Sequence, residues 1–294
     1  MGGLSMSTTL PDRLRPERAS PRLELQAGRS GAVRARMLGQ DLADGARLWR
    51  LALALGWLDI KLRYRGSLLG PFWLTLSTGA MVGALGMLYA TLWQLPVAQY
   101  LPFLALSQVL WTFISSVINE GCASFTSADA VIRSVRMPFF VHAQRVLVRN
   151  TLVLGHNIVV IVVAYAVLRV WPGWYAVFAI PGLALWVVDG LAIAMLLGAI
   201  CARFRDIPPI VGSLLQIAFF VTPIIWTPKQ LGPGRNWMLL GNPFFDVLEV
   251  VRAPLLGLAA GSHVWIAALV FSGALCATSW LFLSVARARI AFWM

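Results

Sequence analysis

Lysine is nearly absent from this sequence: Lys61 and Lys229 are the only two. A phosphate-binding loop needs Gly-x-x-x-x-Gly-Lys followed by Ser or Thr, so that backbone amides cradle the phosphates and the lysine reaches them. Lys61 precedes Leu62 and Lys229 precedes Gln230, so neither fits. The chain cannot bind and hydrolyse ATP in that manner. His-Glu-x-x-His and Gly-x-Ser-x-Gly are missing as well, which removes two common hydrolase constellations. Cys122, Cys201 and Cys276 are far apart, odd in number and without metal-ligand spacing. They read as small apolar fillers, neither disulfides nor ligands, and no metal or cofactor is expected in this chain. No cluster of acid, base and metal-binding groups gathers near one interface, so an enzyme such as an acyl- or glycosyltransferase is not expected. Residues 1–40 are rich in Arg, Pro, Ser and Gly and lack the apolar core of a secretory signal. They read as a disordered tail.

What is present in abundance is apolar surface. Of 294 residues, 59% are hydrophobic and 12% charged. No soluble domain of this size needs that much apolar surface, so the composition implies a multi-span helical membrane protein. The stretch from Leu58 to Trp93 organises the rest. It opens with Lys61, Arg63 and Arg65, hinges at Gly66-Ser67 and Gly70-Pro71, and continues from Phe72 without charge. At about 1.5 Å per residue, ~20 apolar residues cross a hydrocarbon core of about 30 Å. An amphipathic helix over 41–64, with Leu48, Leu51, Leu55, Leu58 and Leu62 at helical spacing, is therefore expected to lie on the membrane surface.

Six spans are expected, at about 73–93, 101–118, 150–168, 175–202, 207–226 and 263–286. Of the 24 Lys and Arg, only Arg169, Lys229, Arg235 and Arg252 fall on the sparsely charged side. The basic side marks the cytoplasm, so both termini are expected there. These cations flank apolar spans and do not form one exposed face. Anionic lipid and topology explain them, and nucleic acid does not. Within the spans, Asp189 and His156 are expected to be hydrogen-bonded or paired inside the bundle. Gly79 and Gly83, and Gly190, Ala194 and Gly198, recur four apart and permit close helix packing.

Three sequence runs resemble the ABC type-2 export permeases. RYRGSLLGPFW at 63–73 resembles their entry into the first span, CARFRDIPPIVGSLLQIAFFVTPIIWTP at 201–228 their Arg-aromatic-Arg-Asp turn and Pro-Ile segment, and NPFFDVLEVVRAPLLG at 242–257 their outer Asn-Pro segment. NEGCASFTSADAVIRSVRMPFF sits where that family carries its cytoplasmic coupling segment. The similarity runs from about Leu48 to the C-terminus, closest to the branch that exports O-antigen and capsular polysaccharide. It implies a homodimer in the bacterial inner membrane bound to two copies of a separate cytoplasmic ABC ATPase, which holds ATP and magnesium. The implied cargo is a lipid-linked polysaccharide, moved from cytoplasm to periplasm. Exporters of drugs or other lipids share the fold. A stand-alone secondary transporter would instead show internal repeats and midplane ion ligands, which this sequence lacks.

On this reading four groups of residues carry function. Gly212, Gln216, Phe219, Thr222 and Trp226 recur at three- or four-residue steps and would share one face of the fifth span. With Tyr89 and Trp93 of the first span, they form the expected channel wall, since the resemblance places these two helices at the pore and sugar C–H faces pack on rings. Arg145 and Arg149, in line with His156, lie level with Arg63 and Arg65 and are expected to receive a lipid pyrophosphate through the guanidinium fork. Ser127 is expected to cap a short coupling helix with Asp129 in its first turn and Arg133 beyond. Asn242–Gly257, carrying Asp246, Glu249 and Arg252, is too short and too charged to span. It is expected to be a periplasmic re-entrant or interfacial helix pair turned near Ala253-Pro254, with Glu249 and Arg252 paired and acting as a gate.

Overall fold

The structure is a computed structural model and describes residues 31–67, 70, 72–232, 239 and 241–293. Its helices are α1 (Gly31–Arg47), α2 (Trp49–Arg63), α3 (Phe72–Leu92), α4 (Val97–Cys122), α5 (Asp129–Ser134), α6 (Phe139–Leu168), α7 (Ala179–Arg203), α8 (Ile207–Val221), α9 (Pro243–Leu255) and α10 (Ser262–Trp293). Short 3-10 segments sit at Thr126–Ala128, Gly173–Phe178 and Pro228–Leu231. No strand occurs among the described residues.

Among the described residues five helices are long and apolar enough to cross a membrane: α3, α4, α6, α7 with the turn before it, and α10. The expected fifth span is shorter than the sequence reading gave. α8 has 15 residues, so it is about 22 Å long against a core of about 30 Å. Pro223 sets its end. The residue before a proline is driven out of the α region, and Thr222 is extended at φ −81°, ψ 137°.

The surface helix also differs from expectation. Residues 31–40 are helical and not part of a tail, and the chain breaks at Leu48 into α1 and α2. Leu38 is buried at 1% exposure, and a Cβ on Gly45 would meet Phe140 at 2.7 Å. Tertiary packing of this kind, which composition does not reveal, is what holds a helix of this length. Residues 1–30 lie outside the described residues.

α4 is the axis of the bundle. It is buried along most of its length and packs against α3, α6, α7, α8 and α9. The small-residue stripe of α7 makes this possible. Added Cβ atoms would meet Leu147 at 3.0 Å from Gly190 and Ser124 Oγ at 2.1 Å from Gly198, while Ala194 lies 3.1 Å from the Cβ position of Gly121. The second stripe is not used in this way: Gly83 has open space and Gly79 only a 3.9 Å neighbour. Asp189 accepts a hydrogen bond from Ser272 at 2.8 Å, tying α7 to α10.

α9 is one helix, not a pair turned at Ala253-Pro254. Pro254 sits inside its last turn. The chain turns at Gly257, whose φ of +77° suits glycine. Leu258 N–H donates to Ala253 O at 2.9 Å and Gly257 N–H to Pro254 O at 3.0 Å, the bond pair of a Schellman motif.

Candidate functional site

Two carboxylates collect the basic residues on the side that carries most of the charge. Asp59 of α2 accepts a two-pronged bond from Arg145 of α6, at 2.7 and 2.5 Å, and a third bond from Arg149 at 3.2 Å. Glu120, near the end of α4, accepts from Arg149 at 2.8 Å, Asn150 at 2.6 Å and Arg63 at 2.9 Å. α2 is thus tied to α4 and α6 through one network. Its hydrogen bond to Glu120 holds the Arg63 guanidinium above its ordinary value, against the opposing effect of burial. Three cations share two anions, so the cluster keeps an excess positive charge. Its most open member is Arg63, with a side chain 44% exposed against 17% for Arg149. Sequence reasoning named these arginines but missed Asp59, Glu120 and Asn150. His156 does not join them, since its Nδ1 lies 2.8 Å from Leu152 O on its own helix. Arg65 is exposed beyond the end of α2.

The short α5 lies between α4 and α6. Ser127 does not cap it. Ser127 sits inside the preceding 3-10 turn, and the residue at the cap is Ala128. Asp129 does stand in the first turn, where it pairs with Arg133 at 2.5 Å. No residue of α5 is fully buried, and most of them are exposed.

The expected channel residues fall into separate groups, because α8 ends before Thr222 and the helical register is lost there. Thr222 is fully buried and accepts from Asn242 Nδ2 at 3.1 Å. Trp226 donates its indole N–H back to Phe220 O at 2.9 Å. Phe219 stays on α8 and packs against Trp111 of α4, centroids 6.1 Å apart. Gln216 is exposed on the same helix, beside exposed Ile217 and Phe220. Gly212, a turn earlier, is half-buried. Tyr89 and Trp93 stack at 4.8 Å at the far end of α3, with Tyr100 edge-on at 5.8 Å from Trp93. Trp111, Tyr100 and Phe244 were not singled out from sequence, where they are aromatics in an apolar context like any other. An open groove of about 580 Å³ runs between α8 and α7, lined by Leu197, Leu214, Ile217, Val221 and Phe244.

Arg252 of α9 has no exposed surface. It pairs with Glu249, as its spacing implies. Sequence reasoning missed its other partners. Arg252 donates to Ser107 of α4 at 3.0 Å and to Pro223 O beyond α8, and its guanidinium lies 4.7 Å from the Phe103 ring centroid. One buried cation therefore joins α9, α4 and the segment after α8. Asp246 is buried two turns earlier on the same helix. Asn242 caps α9 by accepting from the Phe244 and Phe245 amides at 3.1 and 3.3 Å, and Trp186 of α7 donates to Val247 O at 2.7 Å.

The long apolar helices, with α2 bonded into them and α9 buried against them, define a multi-pass membrane protein. The family model for the ABC-2 type transporter matches residues 50–256, and the chain belongs to that family. It is similar to the O-antigen export system permease protein RfbA of Myxococcus xanthus, 26% identical over 236 residues that cover 75% of this chain and 91% of the relative. It is also similar to a protein of the same name from Klebsiella pneumoniae, 22% identical over 191 residues that cover 65% of this chain and 74% of the relative.

Proposed function

We propose that this chain is the membrane permease of an exporter that moves a lipid-linked polysaccharide, of the O-antigen or capsule type, from cytoplasm to periplasm. The observation that carries this reading is the similarity to the Myxococcus xanthus O-antigen permease, which extends over 91% of that protein. In this reading the permease is a homodimer in the bacterial inner membrane with both termini cytoplasmic. A separate ABC ATPase, in two copies, supplies the power and holds ATP and magnesium. The absence of a phosphate-binding loop around either lysine agrees with such a division of labour. α8 with the segment to Trp226 makes the remaining crossing, and α9 is a re-entrant element of the periplasmic half.

The residue roles follow the geometry. Arg63, Arg145 and Arg149, with Arg65 near the same level, receive the pyrophosphate head group; the excess positive charge of the network supports this. Asp129 and Arg133 on exposed α5, with Ser127 before it, meet the ATPase. Tyr89, Trp93, Gln216, Phe219 and Trp226 line the sugar path, with Thr222 holding the wall from behind. Glu249 and Arg252, with Asp246, set the outer gate. The test is a bacterial strain lacking its own O-antigen permease and ATPase, supplied with this chain and the ATPase of its source organism, together with the matching glycan synthesis. Surface staining should show glycan only when both proteins are present. Assembly of the complex with glycan retained inside would overturn the cargo.

A further inference from the structure

Asp41 stands outside every role above, in a part of the chain that the family match at 50–256 does not reach. It is an acid on the surface helix, yet it is 4% exposed. Its Oδ1 accepts from Arg287 of α10 at 2.8 and 3.2 Å. Its Oδ2 accepts from the Phe140 backbone N–H at 3.3 Å. Phe140 is in the first turn of α6, where backbone amides have no partner within the helix and the helix dipole favours an anion. α6 has no side-chain cap of its own, so a carboxylate from α1 stands in for one.

The position of that cap matters. α6 begins where the segment carrying α5 ends. Phe125 at the start of the segment and Phe139 at its end touch edge to face, centroids 5.3 Å apart. Both belong to one core with Leu38 and Leu42 of α1, Ile132 of α5 and Leu283 and Ile290 of α10. α5 itself has no fully buried residue and touches this core through Ile132. The orientation of α5 is therefore set at its base, and α1 forms one wall of that base. A push on α5 would bend the segment if the base gave way, and would move α6 and α10 if the base held.

We propose that α1 is a brace that stiffens the base of the coupling segment, and that Asp41 is its positioning residue. This rests on reading 126–138 as the segment that meets the ATPase. The brace carries motion into α6 by the amide cap and into α10 by the Arg287 pair.

The test uses the full chain, alone and assembled with its ATPase in lipid vesicles. Hydrogen exchange read by mass spectrometry on Asp41→Asn should show the amides of 139–141 exchanging about tenfold faster, the size expected for a lost cap, with the middle of α4 unchanged. In the assembled complex, glycan exported per ATP hydrolysed should fall about tenfold, while hydrolysis and membrane yield stay near wild type and Asp41→Glu recovers most of the ratio. Unchanged exchange at 139–141 overturns the brace. Exchange that rises evenly along the chain also overturns it, because that is general loss of fold. Faster local exchange with a wild-type export ratio overturns the coupling role. If Asp41→Asn does not accumulate, Arg287→Gln must raise exchange in α10 near residue 287 and lower the export ratio, and failure of either sinks the proposal. A wild-type complex that hydrolyses ATP without exporting glycan overturns the cargo reading alone, since exchange at Phe140 still decides the brace.

Discussion

At the scale of single residues, the acids hold this protein together more than the more numerous bases do. Glu120 serves three donors from α2 and α6, whereas Arg63 donates to Glu120 from an exposed side chain. Exposed pairs contribute about 0–1 kcal/mol, and hydrogen bonds to partly buried charges about 1.5–3 kcal/mol. Glu120→Ala should therefore lower the thermal stability of the purified chain clearly, and Arg63→Ala barely. Equal losses in the two variants would show that the network is not organised around Glu120. Arg252 is the sharper case, because its guanidinium is wholly buried among Glu249, Ser107, Pro223 O and the Phe103 ring. Removing one partner of a buried ion pair costs about 3–5 kcal/mol, since the other charge is left unpaired. Arg252→Ala should unfold well below wild type. Arg252→Met combined with Glu249→Gln should recover part of the loss, and a double variant less stable than the single one would refute the argument. The arginines of both sites were legible in the sequence as cations near apolar spans. Asp59, Glu120, Ser107 and Pro223 were not, because partners 29 to 145 residues away are chosen by packing.

At the scale of elements, the same closing motif is used with good and poor residues. α9 ends on Gly257 at φ +77°, but α3 ends on Gln94 at φ +53° and α6 on Arg169 at φ +55°. Leu95 N–H donates to Ala90 O at 2.9 Å and Val170 N–H to Tyr165 O at 3.0 Å, so both have the six-to-one bond of the α9 turn. A side chain in the left-handed region costs about 1–2 kcal/mol. Gln94→Gly should accordingly raise the unfolding temperature by a few degrees, offset in part by glycine's chain entropy. Gly257→Ala should lower it, the more so because its Cβ would stand 3.3 Å from Pro172 O. Thermal unfolding of the two variants in one detergent checks both signs. Helix identity was readable because apolar runs of this length admit little else. Helix ends were less readable, even where local chemistry sets them. Pro138 stands at the start of α6, yet the third span was expected only from about 150, and the stop of α8 at Val221 was missed although Pro223 is in plain view. The apolar pattern continues through Ile224, Ile225 and Trp226, and periodicity outweighed the proline. Residues 31–40 of α1 were missed for the opposite reason: what holds them is the packing of Leu38 and the Phe140 contact, whose partners lie on other helices.

At the scale of the whole molecule, the outward face of α8 remains to be accounted for. Ile210 and Phe220 are exposed on it and suit lipid, but Gln216 is exposed on the same helix. An unpaired amide in hydrocarbon costs several kcal/mol, about 2–7 depending on the reference. A helix that faced only lipid would therefore be poorly served by glutamine here, and a helix beside a water-filled path would not. α8 is also loosely held, packing on α4 and more lightly on α7, and an open groove lined by its Leu214 and Ile217 runs along it. Both features suit a wall that moves when a long polymer passes. Replacing Cys122, Cys201 and Cys276 by serine and introducing Gln216→Cys gives one thiol to follow. In native membranes it should react with a membrane-impermeant, water-borne maleimide, while Ile210→Cys in the same background should react only with a lipid-soluble one. Under the proposed function the thiol at position 216 should also become protected when polysaccharide synthesis is switched on, because the cargo would then occupy the path. Reaction of Gln216→Cys with the lipid-soluble reagent alone would place α8 against lipid and move the proposed sugar path to another face of the bundle.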